Sequence, residues 1–445
     1  MRGMASVLTR ARTATALAAG KAARLASRLR GGGSALPGLV TEKIDPTVLR
    51  HTLGSLPQGV VVVSGTNGKT TTTKMLVALL RAHGLRVFTN PTGSNFTRGV
   101  ISSMLGEIGL RGRLGADVAV VELDEAHALH FAAQVPPTHA LLLNVARDQL
   151  DRFAEIDHTA RLLTTLGERA TTGVVLNADD SFISRVRDSL PAGVQVRWFG
   201  VDPSISDRLP ELQEADVRFA DADDRPQLGE HDGLLLPDDD GRGLTVRFPG
   251  GHDVGPLTLR QRGLAAMINA TAATTMAREL LGQAFDASVA ATALAAVNPP
   301  FGRGEVIDVG GAQLELVLVK NPAGFTVALG TYGAEPVATM VAINDNYADG
   351  RDVSWLYDVS FESLRERGVA VTSGVRAWDM ALRLRYDGVE VGAVDTDLDA
   401  ALERFLRDHR GQPVRIFCTY TAMMHLRRRL ADRFGLARFG EDPAA

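Results

Sequence analysis

From residue 59 onward the chain alternates short apolar runs with longer stretches of helical spacing. Val60-Val61-Val62-Val63 precedes a helical run over 70–83, and Val118-Ala119-Val120-Val121, Ala140-Leu141-Leu142-Leu143 and Val174-Val175-Leu176 follow at helix-length intervals. Strand-sized apolar blocks interleaved with helices imply βαβ units and a mostly parallel sheet. Residues 200–256 break the alternation: the turns Asp239-Asp240-Gly241 and Pro249-Gly250-Gly251, set among many acids, read as a loop or hairpin insertion. Alanine-rich helical sequence returns over 264–297 and closes at Asn298-Pro299-Pro300. A second alternating region begins at Leu314 and runs to about Leu436, with strands expected at Val337 to Ile343, Val369 to Thr372 and Pro413 to Thr419. The pattern predicts an α/β protein in three parts: a basic lead-in over 1–35, a central P-loop ATPase-like domain with a parallel sheet over 36–305, and a C-terminal α/β, Rossmann-like domain over 306–445.

Composition narrows the function classes. Of 445 residues 45% are hydrophobic and 22% charged, so the chain can bury a sizeable core. Lys and Arg total 48 against 52 for Asp and Glu, which leaves no strong global field for nucleic acid. A single cysteine, Cys418, excludes an internal disulfide and any zinc site built from several thiolates, so no zinc is expected. Its setting, Arg415-Ile416-Phe417-Cys418-Thr419, reads as a buried strand thiol. No stretch approaches the roughly 18 consecutive apolar residues of a membrane span, and a cytoplasmic location is expected. Residues 1–41 carry seven basic residues and no acid. That segment reads either as an alanine-rich lead-in helix or as a basic amphipathic helix on an anionic membrane face, with globular sequence beginning near Leu36.

The first block of candidate chemistry follows the strand 60–63. In Ser64-Gly65-Thr66-Asn67-Gly68-Lys69-Thr70-Thr71 the glycines let the backbone N–H groups curl toward an anion, and the helix behind adds its partial positive charge. Lys69 reaches the outer phosphates and Thr70 offers a hydroxyl to Mg²⁺. The strict pattern places a glycine where Val63 stands, but strand, loop and helix are in the right order for an ATP cradle.

Gly65-Thr66-Asn67-Gly68-Lys69-Thr70-Thr71 resembles the ATP loop of the Mur ligase family, whose members join an activated carboxylate to an amine through an acyl phosphate. Further segments match in order: Val121-Glu122-Leu123-Asp124-Glu125, Asn144 to Arg152, Asn177-Ala178-Asp179-Asp180, Asn269, and Phe301-Gly302-Arg303-Gly304-Glu305. The resemblance implies Glu122 as a Mg²⁺ ligand with Thr70, Asn269 at the adenine, and Arg303 at the γ-phosphate. The chain departs from the amino-acid-adding members at two places. Gln149 stands where they have a histidine, and no lysine lies between Lys74 and Lys320 to form the carbamate that holds a second Mg²⁺. Gln149 can offer a neutral oxygen to a metal or a hydrogen bond to substrate. Lys320, in Val319-Lys320-Asn321-Pro322, replaces another family histidine and is expected near nucleotide phosphate.

These departures, with the segments Asn344 to Asp358, Arg376 to Ala381 and Thr419 to Ala422, make the chain similar to the MurT branch of the family. The likeness implies ATP-dependent amidation of the D-glutamate α-carboxyl in the lipid II stem peptide, at the inner face of the membrane. It also implies a GatD-like glutaminase partner that supplies ammonia, and a synthetase aspartate, Asp349 or Asp352, that orients the partner's catalytic histidine. Two other readings stand beside it: an amino-acid ligase of the Mur or folylpolyglutamate type, and a non-catalytic ATP-binding scaffold subunit.

Overall fold

The computed structural model describes residues 2–29, 35–90, 96–109, 112–147, 156–211, 217–219, 221, 224–238, 241–333 and 335–437. Among the described residues the strands form two sheets, one of nine and one of six, and the first holds β1 (Val60–Ser64), β2 (Val87–Thr89), β3 (Val118–Glu122), β4 (His139–Leu142), β5 (Gly173–Asn177), β6 (Gln195–Val201), β7 (Gly233–Pro237), β8 (Gly243–Arg247) and β9 (Val254–Thr258). Their spatial order is β2-β3-β1-β4-β5-β6-β7-β8-β9. From β2 to β7 all pairings are parallel. The apolar runs fall in this parallel part because such strands are covered on both faces. In β1, Val60 and Val62 belong to one core cluster and Val61 and Val63 to the other.

The chain leaves β1 toward β2 and β3 on one side and later returns to β4 on the other. That reversal is a topological switch point, where ligands of parallel α/β sheets sit outside the carboxyl ends of the strands. Register sets the geometry there: Val63 pairs with Glu122 on β3, and Ser64 with Leu142 on β4. The phosphate loop and the Glu122 carboxylate therefore leave the sheet at the same level.

Six strands form the second sheet: β10 (Arg303–Asp308), β11 (Gln313–Leu318), β12 (Ala338–Ala342), β13 (Val369–Ser373), β14 (Val391–Asp395) and β15 (Val414–Cys418). The order is β10-β11-β15-β12-β13-β14, with β10 and β11 antiparallel and the other pairs parallel. Phe325, Trp355, Phe361 and Phe417 pack together on one face, with Phe325 central at ring separations of 5.0–6.3 Å. Strand β10 spans the expected division at 305/306, and the change of sheet falls between the helix Ala287–Ala296 and Arg303.

Two expectations need correction. The 200–256 segment holds the expected hairpin, β7 with β8, but belongs to the first sheet: β7 pairs in parallel with β6, and β8 and β9 extend the sheet antiparallel. The turn-rich composition concealed the pairing because each strand there is only five residues long. Packing also does not begin at Leu36. The helix Arg2–Leu29 lies against the helices Ala35–Ile44 and Thr97–Glu107. Ala16 and Leu17 are fully buried, and Leu17 joins the core beneath the first sheet. Thr13 Oγ1 donates to Asp45 Oδ2 at 2.6 Å, Arg12 Nε to Ile44 O at 2.7 Å, and Lys21 Nζ to Ile108 O at 2.6 Å. Two of the basic residues that suggest a membrane surface are thus engaged within the fold.

Truncating Leu17 tests this docking. Leu17→Ala removes a fully buried side chain and is expected to cost about 2–5 kcal/mol. An unchanged denaturant midpoint would show that the helix does not pack as described.

Candidate functional site

The loop between β1 and the helix Lys69–Ala82 is built on two left-handed glycines, Gly65 at φ +136° and Gly68 at φ +87°. A Cβ at Gly68 would stand 2.4 Å from Asn269 Oδ1, so glycine is required both by the backbone angle and by the asparagine above it. Asn269 comes from the helix Leu264–Leu281. From the next strand end, Asn144 accepts from Asn67 N at 2.9 Å and donates to Asn67 O at 3.0 Å, and its own carbonyl accepts from Thr66 N at 3.0 Å. The loop is held open by side chains rather than collapsed.

Lys69 is buried at the first turn of its helix. Its Nζ donates to Gly65 O at 2.7 Å and lies 3.3 Å from Asp124 Oδ1 and 3.9 Å from Glu125 Oε2. Burial acts to raise the Asp124 carboxyl, but Lys69 and Lys320 outweigh it and hold the group below its ordinary range. An ammonium folded back onto an acid is a charge that an arriving anion can draw outward.

Thr70 Oγ1 donates to Glu122 Oε1 at 2.7 Å and accepts from Arg303 Nη2 at 3.3 Å. The Glu122 backbone is fixed on both sides by Asn90, which donates to Glu122 O and accepts from Glu122 N, each at 2.9 Å. Burial pushes the Glu122 carboxyl up, against the opposing pull of Arg303, Thr70 and Lys69. A hydroxyl and one buried carboxylate this close are an oxygen pair that suits Mg²⁺, which keeps several waters and shares phosphate oxygens with one or two carboxylates.

A cavity opens beside these groups and shares Arg303 with them. Asn67, Asn144, Asn177 and Asn269 line it from the first sheet's side, and Arg303 and Lys320 from the second's. The structure thus brings together the Gly65–Thr71 loop, Glu122, Asn269, Arg303 and Lys320. Asp349 and Asp352 lie elsewhere, in the loop after β12. Buried Asp349 accepts from Thr421 N at 2.7 Å, from Thr421 Oγ1 at 2.5 Å and from Asn346 N at 3.1 Å. Half-buried Asp352 accepts from Ser354 N at 2.8 Å in an Asx turn, which holds its carboxyl below the ordinary range. Gln149 lies outside the described residues.

Sequence reasoning passed over three groups. Asp124 and Glu125 were read only as part of the Glu122 segment, although an Asp before a helical run marked an N-terminus at Lys69's distance. Asn90 carried no signal. Asn321, the cap of the helix Pro322–Tyr332, donates to Asn67 Oδ1 at 3.2 Å and ties the second sheet to the loop tip.

Comparisons with known proteins bear on the same segments. Residues 63–254 match the Mur ligase middle domain, and residues 318–423 match the MurT ligase C-terminal domain. The chain is 30% identical to the lipid II isoglutaminyl synthase (glutamine-hydrolyzing) subunit MurT of Streptococcus pneumoniae, over 95% of this chain and 98% of that one. It is 28% identical to the protein of the same name from Staphylococcus aureus, over 94% and 98%. Among solved structures, MurF from Acinetobacter baumannii superposes with a TM-score of 0.64 at 18% identity, over 90% of this chain and 81% of that one, a likeness of fold.

The electrostatics of Glu122 give a pH test. Arg303 lowers this carboxyl's pKa, so Arg303→Ala is expected to shift the acid limb of Mg²⁺–nucleotide binding to higher pH, because protonation of Glu122 then sets in earlier. Titrations across about pH 5 to 8 measure the midpoint. Equal midpoints in the variant and the parent would contradict the coupling.

Proposed function

The chain belongs to the MurT family, and on that basis we propose that it is the synthetase half of a glutamine-hydrolysing lipid II isoglutaminyl synthase. In this reading it consumes ATP to convert the α-carboxyl of D-glutamate in the lipid II stem peptide to an amide, working at the inner membrane face beside a GatD-like glutaminase. One observation carries it. Arg303 reaches the Thr70–Glu122 pair at the start of the helix that carries Lys69, although it lies 233 positions from Thr70.

The N–H groups of the loop and the helix N-terminus take the outer phosphates. Lys69 exchanges Asp124 for phosphate oxygen, and Arg303, at the same hydroxyl as Glu122, offsets charge that develops on the transferred group. Thr70 and Glu122 would hold Mg²⁺, which supplies further neutralisation of phosphate charge. Asn269, over Gly68, would contact the adenine, as the family resemblance implies, and Lys320 would add a second cation on the facing wall. A substrate carboxylate oxygen attacks the γ-phosphorus, the bond to the bridging oxygen breaks, and ADP leaves. Ammonia then adds to the acyl carbon of the resulting acyl phosphate, and phosphate departs with the electrons of the C–O bond while the nitrogen gives up a proton. Positioning and exclusion of water suffice for that step.

Nitrogen drawn from glutamine has to be released by another chain. A glutaminase needs an activated cysteine thiolate. Cys418, the one cysteine, is fully buried in β15, and burial pushes its thiol far up. An apolar surface supports a partner on the second sheet's side. Trp378, Leu382 and Tyr386 line one side of the helix Ala377–Tyr386 and are 67%, 51% and 70% exposed, with Val375, Tyr357 and Tyr347 exposed nearby. Exposed apolar side chains grouped in this way mark a protein interface. Arg376, at the cap of that helix, pairs with Asp345 at 2.8 Å and joins the surface to the loop of Asp349 and Asp352. Asp349 already caps the helix Tyr420–Phe434, so Asp352, the more open of the two, is assigned to the partner's histidine.

The test is mass analysis of the stem peptide after incubation with ATP, Mg²⁺ and either an ammonium salt or glutamine with the glutaminase. Conversion of acid to amide is expected in both arms, and Lys69→Ala is expected to reduce it about a hundredfold or more. Incorporation of an amino acid instead would restore the ligase reading, and ATP left intact in both arms would restore the scaffold reading. Asp352→Asn is expected to spare the ammonium arm and depress the glutamine arm, whereas Asp349→Asn lowers the melting temperature. The reverse pattern would move the partner role to Asp349.

A further inference from the structure

Arg303 reaches the phosphate site from a distorted stretch of strand. Across β10 and β11, Arg303 pairs with Val317 and Glu305 with Leu316, so two steps on one strand oppose one on the other and Gly304 is extruded. Such a bulge re-aims a neighbouring side chain. The glycines on both sides of Arg303 are left-handed, Gly302 at φ +69° and Gly304 at φ +73°. Each is closely covered: a Cβ at Gly302 would lie 2.7 Å from Met423, and one at Gly304 2.4 Å from the Tyr332 hydroxyl. Glycine populates either sign of φ readily, so the neighbours of these two decide which conformation is kept.

The side chain that imposes it is Arg427, 5% exposed on the helix Tyr420–Phe434. Its Nε lies 2.9 and 3.0 Å from the two carboxylate oxygens of Glu305, and its Nη2 2.9 Å from Oε1. The same Nη2 donates to Ala437 O at 3.1 Å, and the guanidinium lies 4.9 Å above the Phe301 ring. Glu305 Oε2 also accepts from Gly302 N at 3.1 Å. Arg427 therefore grips Phe301 on one side of Arg303 and Glu305 on the other, and Glu305 closes the loop back onto Gly302. Lysine cannot reproduce this, because the grip depends on a planar fork facing a carboxylate and an aromatic ring at once.

We propose that the Arg427–Glu305 pair positions Arg303 at the phosphate site. Neither residue touches the cavity, and both act through the bulge. The proposal rests on the reading that Arg303 contacts nucleotide phosphate.

The test is a double-mutant cycle on the full chain, reading the affinity for the Mg²⁺ complex of a non-hydrolysable ATP analogue, kcat and KM for ATP with ammonium as nitrogen donor, and the melting temperature without nucleotide. Arg427→Lys and Glu305→Gln are each expected to weaken analogue binding and lower kcat by about tenfold or more, and to add nothing further when Arg303 is already alanine. The double variant Arg427→Met/Glu305→Leu replaces the buried guanidinium and its half-buried carboxylate together with apolar groups, an exchange that is often close to neutral for stability. It is expected to melt near the parent temperature and still lose affinity and kcat. The proposal is overturned if that double variant binds and turns over like the parent, or if the single changes cost the same fold with and without Arg303. Equal analogue affinity in the parent and Arg303→Ala would overturn both the proposal and the phosphate role of Arg303. A loss in Arg303→Ala with none in the clamp variants would overturn the proposal alone.

Discussion

The Thr70 hydroxyl joins groups from both sheets. It donates to Glu122 on β3 and accepts from Arg303 on β10, so an anion, a neutral hydroxyl and a cation stand in line at the carboxyl end of the switch-point strand. None of these groups is favourable alone in a buried position: Glu122 resists ionisation there, and a guanidinium without a partner carries a large desolvation cost. Together they form a polar site that a phosphate and a divalent cation can complete. The fold serves this contact. β1 and β3 deliver the loop and the carboxylate at one level, and the second sheet faces them with the cation.

Around that contact the loop is held by asparagines. Asn144, Asn269 and Asn321 reach it from three different elements, two of the first sheet's side and one of the second's: Asn144 bonds the Asn67 backbone, Asn269 covers Gly68, and Asn321 donates to the Asn67 side chain. Lys69 is stored against Asp124 in the same way. Donors and acceptors arranged before the ligand arrives need little reorganisation on binding, which makes electrostatic stabilisation effective.

Much of this was legible in the sequence, and for local reasons. The β1 valines, the glycines of the loop and Lys69-Thr70 are contiguous, so spacing alone places an anion site on a strand-to-helix turn. Glu122 and Arg303 could be picked out through a family resemblance spread along the chain. What escaped notice depends on pairings distant in sequence. Arg427 meets Glu305 across 122 positions, and Asn90 meets Glu122 across 32, with no periodic signal to announce either. The helix Arg2–Leu29 looked like a loose leader because its charges are scattered, but charge says little about a helix that also carries the fully buried Ala16 and Leu17. Between Gly233 and Thr258 turn residues outnumber apolar ones, so the sequence shows a loop or hairpin but not its pairing with the edge of the larger sheet.

The account turns on the cavity activating a carboxylate by phosphorylation, with nitrogen entering afterwards. Labelling the α-carboxylate oxygens of the stem-peptide glutamate with oxygen-18 follows that bond directly. For each amide formed, one labelled oxygen is expected in the inorganic phosphate released. Amide accompanied by unlabelled phosphate would contradict an acyl phosphate route and the role given to the Lys69, Glu122 and Arg303 site.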